Sequence, residues 1–327
     1  MKRLKVLFLP HPIKELASPW NDDLVAAVGA RHEISVFDEE QPLAPQFEGV
    51  DVVIDHGGAA GTREQMDLGA ANGVKLWQIL GTGFDHFDLD YIKARGIPVA
   101  NAPGQFSSVA LAQSAMMFIL LLAHRYRETA ANFNAGLLYR PAGMELEGRT
   151  LGLVGFGASG QDLARRARPF GMRIMAIDVR PIEPQILDEL QPEFLGGPED
   201  LDRVVAASDF LSLHLHLNEQ TRHTIDRRRL NLMQSTACLI NVARGALADE
   251  EALYEALLEG RIGGAGLDVF EREPPDPTLP VYQLPNVVVT PHTGGITDGT
   301  SRKRAACTVE NIDRIAQHLE PLYRIDL

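Results

Sequence analysis

The chain has 327 residues, 45% of them apolar, and a formal net charge of −13. That length suggests two domains at roughly 150 residues each, and cores can be built from such a composition without disulfides or metals. The acidic balance argues against a nucleic-acid partner or an anionic membrane surface. The distant cysteines, Cys238 and Cys307, fit a reducing cytoplasm.

The opening basic pair, Lys2 and Arg3, precedes an apolar run that soon meets Pro10 and His11, too short for a signal peptide and better read as a strand. Strands are expected at 6–9, 34–37, 52–54, 76–80 and 99–102, and helices at 21–29, 64–72 and 89–95. Short apolar runs alternating with helical patterns indicate βαβ units and a parallel sheet covered on both faces. A long apolar helix follows at 107–125. Its most apolar stretch, 109–123, falls short of the roughly 18 residues a membrane span needs and contains Gln113 and Ser114. A more polar helix at 132–137 leads into an irregular segment carrying Pro141, Gly143 and Gly148.

The stretch 151–178 then organises everything after it. An apolar strand at 151–156 runs into Gly155, Gly157 and Gly160 in G-x-G-x-x-G spacing, followed by an amphipathic segment at 161–169 and a second strand at 173–177 ending in Asp178. One glycine permits a tight turn, the next lets a pyrophosphate approach the backbone, and the third lets helix pack on strand. The pyrophosphate sits on the N–H groups of the new helix, with Ala158 and Ser159 in the turn. Asp178 accepts from the adenosine ribose. An acid there disfavours a 2′-phosphate, so NAD is expected over NADP, although Arg180 stands close by.

Further strands are expected at 209–215, 237–243, 266–269 and 287–290, with helices at 201–207, 226–233 and 249–259. That makes six strands after Gly148, a complete dinucleotide-binding sheet. The last helix, at 298–318, follows the completed sheet and must pack on the first domain. We therefore expect an α/β fold of two doubly wound parallel-sheet domains, the first discontinuous and completed by the C-terminal helix, with hinges near Ala102 and Gly295. The cleft between them is the default ligand site. Loops after strands carry the chemistry of such sheets, and three here hold charged or titratable groups: Arg244-Gly245, Phe270-Glu271-Arg272-Glu273-Pro274, and Pro291-His292-Thr293-Gly294-Gly295.

These motifs, with Asn241-Val242-Ala243 before Arg244, Leu267-Asp268-Val269 before Phe270, Thr290 before Pro291, and Leu80-Gly81-Thr82-Gly83-Phe84-Asp85, resemble the D-isomer-specific 2-hydroxyacid dehydrogenases over nearly the whole chain. The resemblance implies a substrate domain of flavodoxin-like type at 1–102 and 296–327, and a Rossmann-like NAD-binding domain at 103–295. It implies a small 2-keto or 2-hydroxy acid as substrate. Arg244 would then bind and polarise it, because a guanidinium fork suits a carboxylate and a keto oxygen. His292 would act as acid/base. Glu273 beside it would favour the protonated ring and orient it. Backbone N–H groups around Gly81, Thr82 and Gly83 would hold the substrate carboxylate. Asp268 would contact the nicotinamide carboxamide, Val242 and Ala243 would line the ring, and Gly295 would close the cofactor site.

Some positions depart from the family. Gln113 replaces a common glutamate, Ser159 an aliphatic residue that contacts the cofactor, His86 an asparagine, and His216 a proline. His214 and His216 at strand spacing lack a third ligand, so no metal is expected. The apolar helix at 107–125 implies a homodimer packed across it. Two alternatives remain open: a dinucleotide-sensing corepressor-like protein on the same scaffold, and a phosphoglycerate-specific dehydrogenase. Pocket shape near His56-Gly57-Gly58, and side chains such as Tyr139 or Met144, would choose the keto acid.

Overall fold

A computed structural model describes residues 2–13, 19–84 and 86–327. It divides into two compact units, residues Met1–Ser107 with Ile296–Leu327, and Ser108–Gly295.

In the first unit the described elements are β1 (Lys5–Leu9), α1 (Trp20–Gly29), β2 (Glu33–Val36), α2 (Leu43–Gln46), β3 (Val52–Asp55), α3 (Arg63–Ala71), β4 (Leu76–Ile79), α4 (Leu89–Lys93) and β5 (Val99–Ala100). All strands pair in parallel, in the order β2-β1-β3-β4-β5, the flavodoxin-like doubly wound arrangement. Successive residues of a strand face opposite sides, and β1 uses both. Val6 and Phe8 pack with Trp20, Leu24 and Val28 of α1, whereas Leu7 and Leu9 join Val53, Trp77 and Ile79. A sheet buried on both faces needs such near-continuous apolar runs.

The second unit holds α5 (Ser108–Ala123), α6 (Tyr126–Asn134), β6 (Thr150–Val154), α7 (Ala158–Ala167), β7 (Arg173–Ile177), α8 (Pro184–Leu190), β8 (Phe194–Gly196), α9 (Leu201–Ala207), β9 (Phe210–Leu213), α10 (Arg227–Leu230), β10 (Cys238–Asn241), α11 (Glu250–Leu258), β11 (Gly264–Leu267), α12 (Pro280–Gln283) and β12 (Val287–Val289). Its sheet runs β12-β11-β10-β9-β6-β7-β8, again all parallel. The order reverses between β6 and β9, the switch point where such sheets bind dinucleotides.

The last helix, α13 (Asp298–Ala316), returns to the first unit. Thr297 caps it, its hydroxyl accepting from Thr300 N at 3.2 Å. Ala305, Val309 and Ile312 enter the core beside α1. Polar anchors fix its rotation: Asn311 Nδ2 donates to Gln78 Oε1 of β4 at 2.7 Å, and Asp313 pairs with buried His32 at 2.9 Å.

Three local expectations need correcting. The second sheet has a seventh strand, β8, a half-buried edge of three residues, Phe194–Gly196, without an apolar run to announce it. Helix α6 starts at Tyr126, not near 132, and α7 starts at Ala158, not Gln161. Much of the apolar surface of α5 is used within its own unit, although Met117 is 38% exposed. Ala112, Ala115, Phe118 and Ile119 are fully buried among Leu153, Leu163 and Ile240, and Phe118 fills the space a side chain at Gly266 would need. Among the described residues no single helix is long and apolar enough to cross a membrane.

Candidate active site

The cofactor fingerprint comes first. β6 runs into Gly155 at φ +97, where a Cβ would lie 2.5 Å from the His214 carbonyl oxygen. At Gly160 a Cβ would lie 2.4 Å from Gly155 O, so this glycine lets α7 pack on the turn. Around Gly157 the nearest atom is the flexible end of Arg180, at 3.0 Å, which leaves the backbone open to a ligand. Because α7 begins at Ala158, Ala158, Ser159 and Gly160 form its first turn, where N–H groups lack intrahelical partners and favour an anion.

Asp178 stands at the end of β7. Its Oδ2 accepts from Phe156 N at 2.8 Å, and its Oδ1 from Arg180 N at 2.9 Å and Arg180 Nε at 3.2 Å. Burial pushes the carboxyl pKa up, but the Arg180 and Phe156 donors outweigh it and hold it below the usual range. The carboxylate is therefore ionised and ready to accept. These residues fit a dinucleotide: a glycine turn with room at Gly157, orphan helix N–H groups, and an acceptor at the second strand.

Ser159 turns out to have a structural partner. Its Oγ bonds His214 Nδ1 at 2.9 Å, and His214 Nε2 bonds Ser212 Oγ at 2.9 Å. Burial pushes His214 down to about 4, so the ring is neutral at pH 7 and has one donor and one acceptor nitrogen for the two hydroxyls. His214 lies directly under the glycine turn, since its carbonyl limits Gly155.

The three strand-end loops follow neighbouring strands β10, β11 and β12. After β10, buried Asn241 organises the first: its Oδ1 accepts from Ala243 N at 3.2 Å and its Nδ2 donates to Arg244 O at 2.9 Å. Val242 points into the core, and Arg244 Nη1 donates to Ala243 O at 2.9 Å. A Cβ on Gly245 would fall 1.8 Å from the carbonyl carbon of Phe270. Only glycine at 245 lets this loop approach the Phe270–Glu271 peptide so closely.

After β11, Asp268 is 1% exposed. Its Oδ1 accepts from Thr290 Oγ1 at 2.5 Å and Thr293 N at 2.8 Å, and its Oδ2 from Gly294 N at 2.8 Å. One buried carboxylate thus clamps both sides of His292, which adopts φ +55, a left-handed conformation that non-glycine residues seldom take. Glu273 completes the group. Its Oε1 accepts from Phe270 N at 3.1 Å, and its Oε2 meets His292 Nδ1 at 2.7 Å. Burial raises the Glu273 pKa, but His292, the Phe270 N–H and the charge of Arg244 bring it below the ordinary value. With Nδ1 engaged, Nε2 is the nitrogen that remains for a substrate. Gly295 closes the unit, with nothing within 4 Å of where its Cβ would be.

The glycine loop of the first unit is equally well fixed. Gly81 packs against Gly57, its Cβ position 3.1 Å from the Gly57 Cα. Thr82 Oγ1 donates to Ala102 O at 3.0 Å, and Thr82 O accepts from Asn101 Nδ2 at 2.9 Å. Among the described residues no protein atom accepts from the N–H groups of Thr82 and Gly83. Asp85 lies outside the described residues. Asn241, Gly245, Thr290 and the Ser159–His214 pair gained their roles only from the structure. Their one sequence signal is polar or glycine positions at strand ends.

The family model for the D-isomer specific 2-hydroxyacid dehydrogenase NAD binding domain matches residues 116–294. A hydroxypyruvate reductase of Thermotoga maritima is 38% identical over 84% of this chain and 87% of its own. A D-3-phosphoglycerate dehydrogenase of Methanocaldococcus jannaschii is 33% identical over 92% of this chain, which spans 56% of that longer protein. The crystal structure of the TT0316 protein from Thermus thermophilus superposes at a TM-score of 0.79 with 35% identity, covering 98% of this chain and 100% of that one. The chain belongs to the D-isomer-specific 2-hydroxyacid dehydrogenases, enzymes with an NAD-binding domain.

Proposed function

We propose that the protein is an NAD-dependent dehydrogenase that interconverts a small 2-keto acid and its D-2-hydroxy acid. The observation that carries this reading is the Glu273–His292 contact of 2.7 Å, on a loop held by the buried Asp268. The dinucleotide, when held by the glycine turn and Asp178, would supply the hydride from its nicotinamide. Arg244 binds the substrate carboxylate and keto oxygen and draws charge from the carbonyl. His292, oriented through Nδ1 by Glu273, gives a proton from Nε2 to the carbonyl oxygen in reduction and takes it back in oxidation. The N–H groups of Thr82 and Gly83 receive the carboxylate. Asp178 favours NAD over NADP because its charge opposes a 2′-phosphate.

We assign the protein to the cytoplasm, in keeping with two free, buried cysteines. We also assign it a homodimeric state. The side chains that support this are Tyr126 and Phe133 of α6 with Leu138 and Tyr139 after it, all more than half exposed. Light scattering tests the dimer. NADH absorbance during addition of glyoxylate, hydroxypyruvate, pyruvate, phenylpyruvate, 2-ketoisocaproate and phosphohydroxypyruvate tests the activity. Turnover of at least one is expected, and tight NADH binding without any turnover would refute it.

A further inference from the structure

At the carboxyl edge of the first sheet, the loops after β1, β3 and β4 bring together His11, His56 and the Gly81–Gly83 loop, and α13 adds Arg304. Arg304 Nη2 donates to Thr82 Oγ1 at 3.2 Å, and its guanidinium lies over the Trp20 ring, 4.6 Å from the centroid. The His56 ring sits 5.6 Å from Trp20 and 5.5 Å from His11. Trp20 and His56 are 4% and 7% exposed, yet among the described residues Trp20 Nε1 and His56 Nδ1 have no hydrogen-bond partner. Such orphaned buried groups are rare in proteins unless something else satisfies them. Asp55, a carboxylate at the end of β3, is already engaged by Ala60 N, Gly61 N and Trp77 Nε1. Burial, with His11 and Arg304 nearby, pushes His56 down to about 3, so the ring is neutral at pH 7 and carries one N–H.

Indole and guanidinium groups donate and never accept. A site built from them, beside a loop with two N–H groups that no described residue accepts, asks for a ligand rich in anionic oxygen. We infer that Arg304, with Trp20 and His56 beside it, is a specificity-determining residue that receives a second anionic oxygen group of the 2-keto acid, a carboxylate or a phosphate, while Thr82 and Gly83 hold the first. A neutral hydroxyl carries no charge to meet a guanidinium, whereas the guanidinium fork matches either anion bidentately. The inference rests on the 2-keto-acid reading of the site.

The test compares oxaloacetate and phosphohydroxypyruvate with pyruvate in the wild type, Arg304→Lys and Arg304→Met, following NADH. One doubly anionic substrate should exceed pyruvate in kcat/KM by about tenfold or more, and Arg304→Met should erase most of that ratio, with Arg304→Lys between. Which of the two is favoured identifies carboxylate or phosphate. Equal kcat/KM for all three, or a ratio unchanged in Arg304→Met, overturns the inference while leaving the dehydrogenase reading intact. A second readout is independent of turnover. Tryptophan emission, corrected with Trp20→Phe, should respond to D-malate or 3-phospho-D-glycerate at concentrations about tenfold lower than to D-lactate. That difference should vanish in Arg304→Met, and its absence in the wild type overturns the inference even if no keto acid is reduced.

Discussion

The carboxylate of Asp268 accepts the N–H of Gly294 at 2.8 Å, and through this bond and its partners at Thr290 and Thr293 it sets the backbone of His292. The residue buried beneath the loop thus shapes the one proposed to face the substrate. In Asp268→Asn an amide N–H must oppose one of these donors. A buried donor left unmatched costs about 1–3 kcal/mol. Denaturant unfolding should report that loss, and kcat/KM should fall on the order of a hundredfold from misplacement of His292. Wild-type kinetics in this variant would show that the clamp does not position the histidine.

Gly245→Ala tests the approach of two loops. Its Cβ would fall 1.8 Å from a backbone carbon of Phe270, an atom that no rotamer change can move. The loops bearing Arg244 and Glu273 must separate. A shift of about 1 Å in such a site is worth on the order of a hundredfold in rate. Steady-state kinetics at saturating NADH should show the loss in kcat/KM while NADH affinity changes little.

Glu273 gives a pH signature. Its pKa lies below the ordinary 4.5 in the folded chain. A depressed carboxyl pKa means that the unfolded chain binds the extra proton, so the stability Glu273 contributes is fully present above 4.5 and disappears as pH falls through the lowered value. Thermal melts of the wild type and Glu273→Gln should differ most near neutrality and converge in acid. A gap that widened in acid would have the wrong sign.

How much of this was legible in sequence can be judged residue by residue. Most strands were visible because a parallel sheet demands apolar runs, as in β1 and β6. The glycines and Asp178 were visible because backbone geometry permits few alternatives there. β8 was not, because a three-residue edge with half-buried side chains needs no apolar run. Ser159 looked like a loss of cofactor contact, since its partner His214 lies 55 positions away and hydrogen bonds at that separation leave no local pattern. Arg304 was silent for the same reason: its neighbours Thr82 and Trp20 come from other loops and helices. The long helix α5 suggested a subunit interface by composition alone, whereas most of its apolar surface is used inside its own unit.

Asp178 and Arg180 should decide cofactor choice. Arg180 is now held to Asp178 through Oδ1 at 3.2 Å. Replacing Asp178 with Ser removes the charge that repels a 2′-phosphate and frees Arg180 to meet it. The wild type should prefer NADH by about tenfold or more in kcat/KM, and Asp178→Ser should narrow or reverse that preference. A wild type that uses NADPH equally well would contradict the role given to Asp178.

The central claim is that His292, set by Glu273, moves the proton in keto-acid reduction. The most direct measurement is a single-turnover decay of NADH absorbance with the preferred keto acid, in the wild type and in His292→Gln, with NADH affinity measured separately. The account predicts a loss on the order of 10²–10⁴-fold in the chemical step with NADH affinity preserved. An unchanged rate in His292→Gln would contradict it.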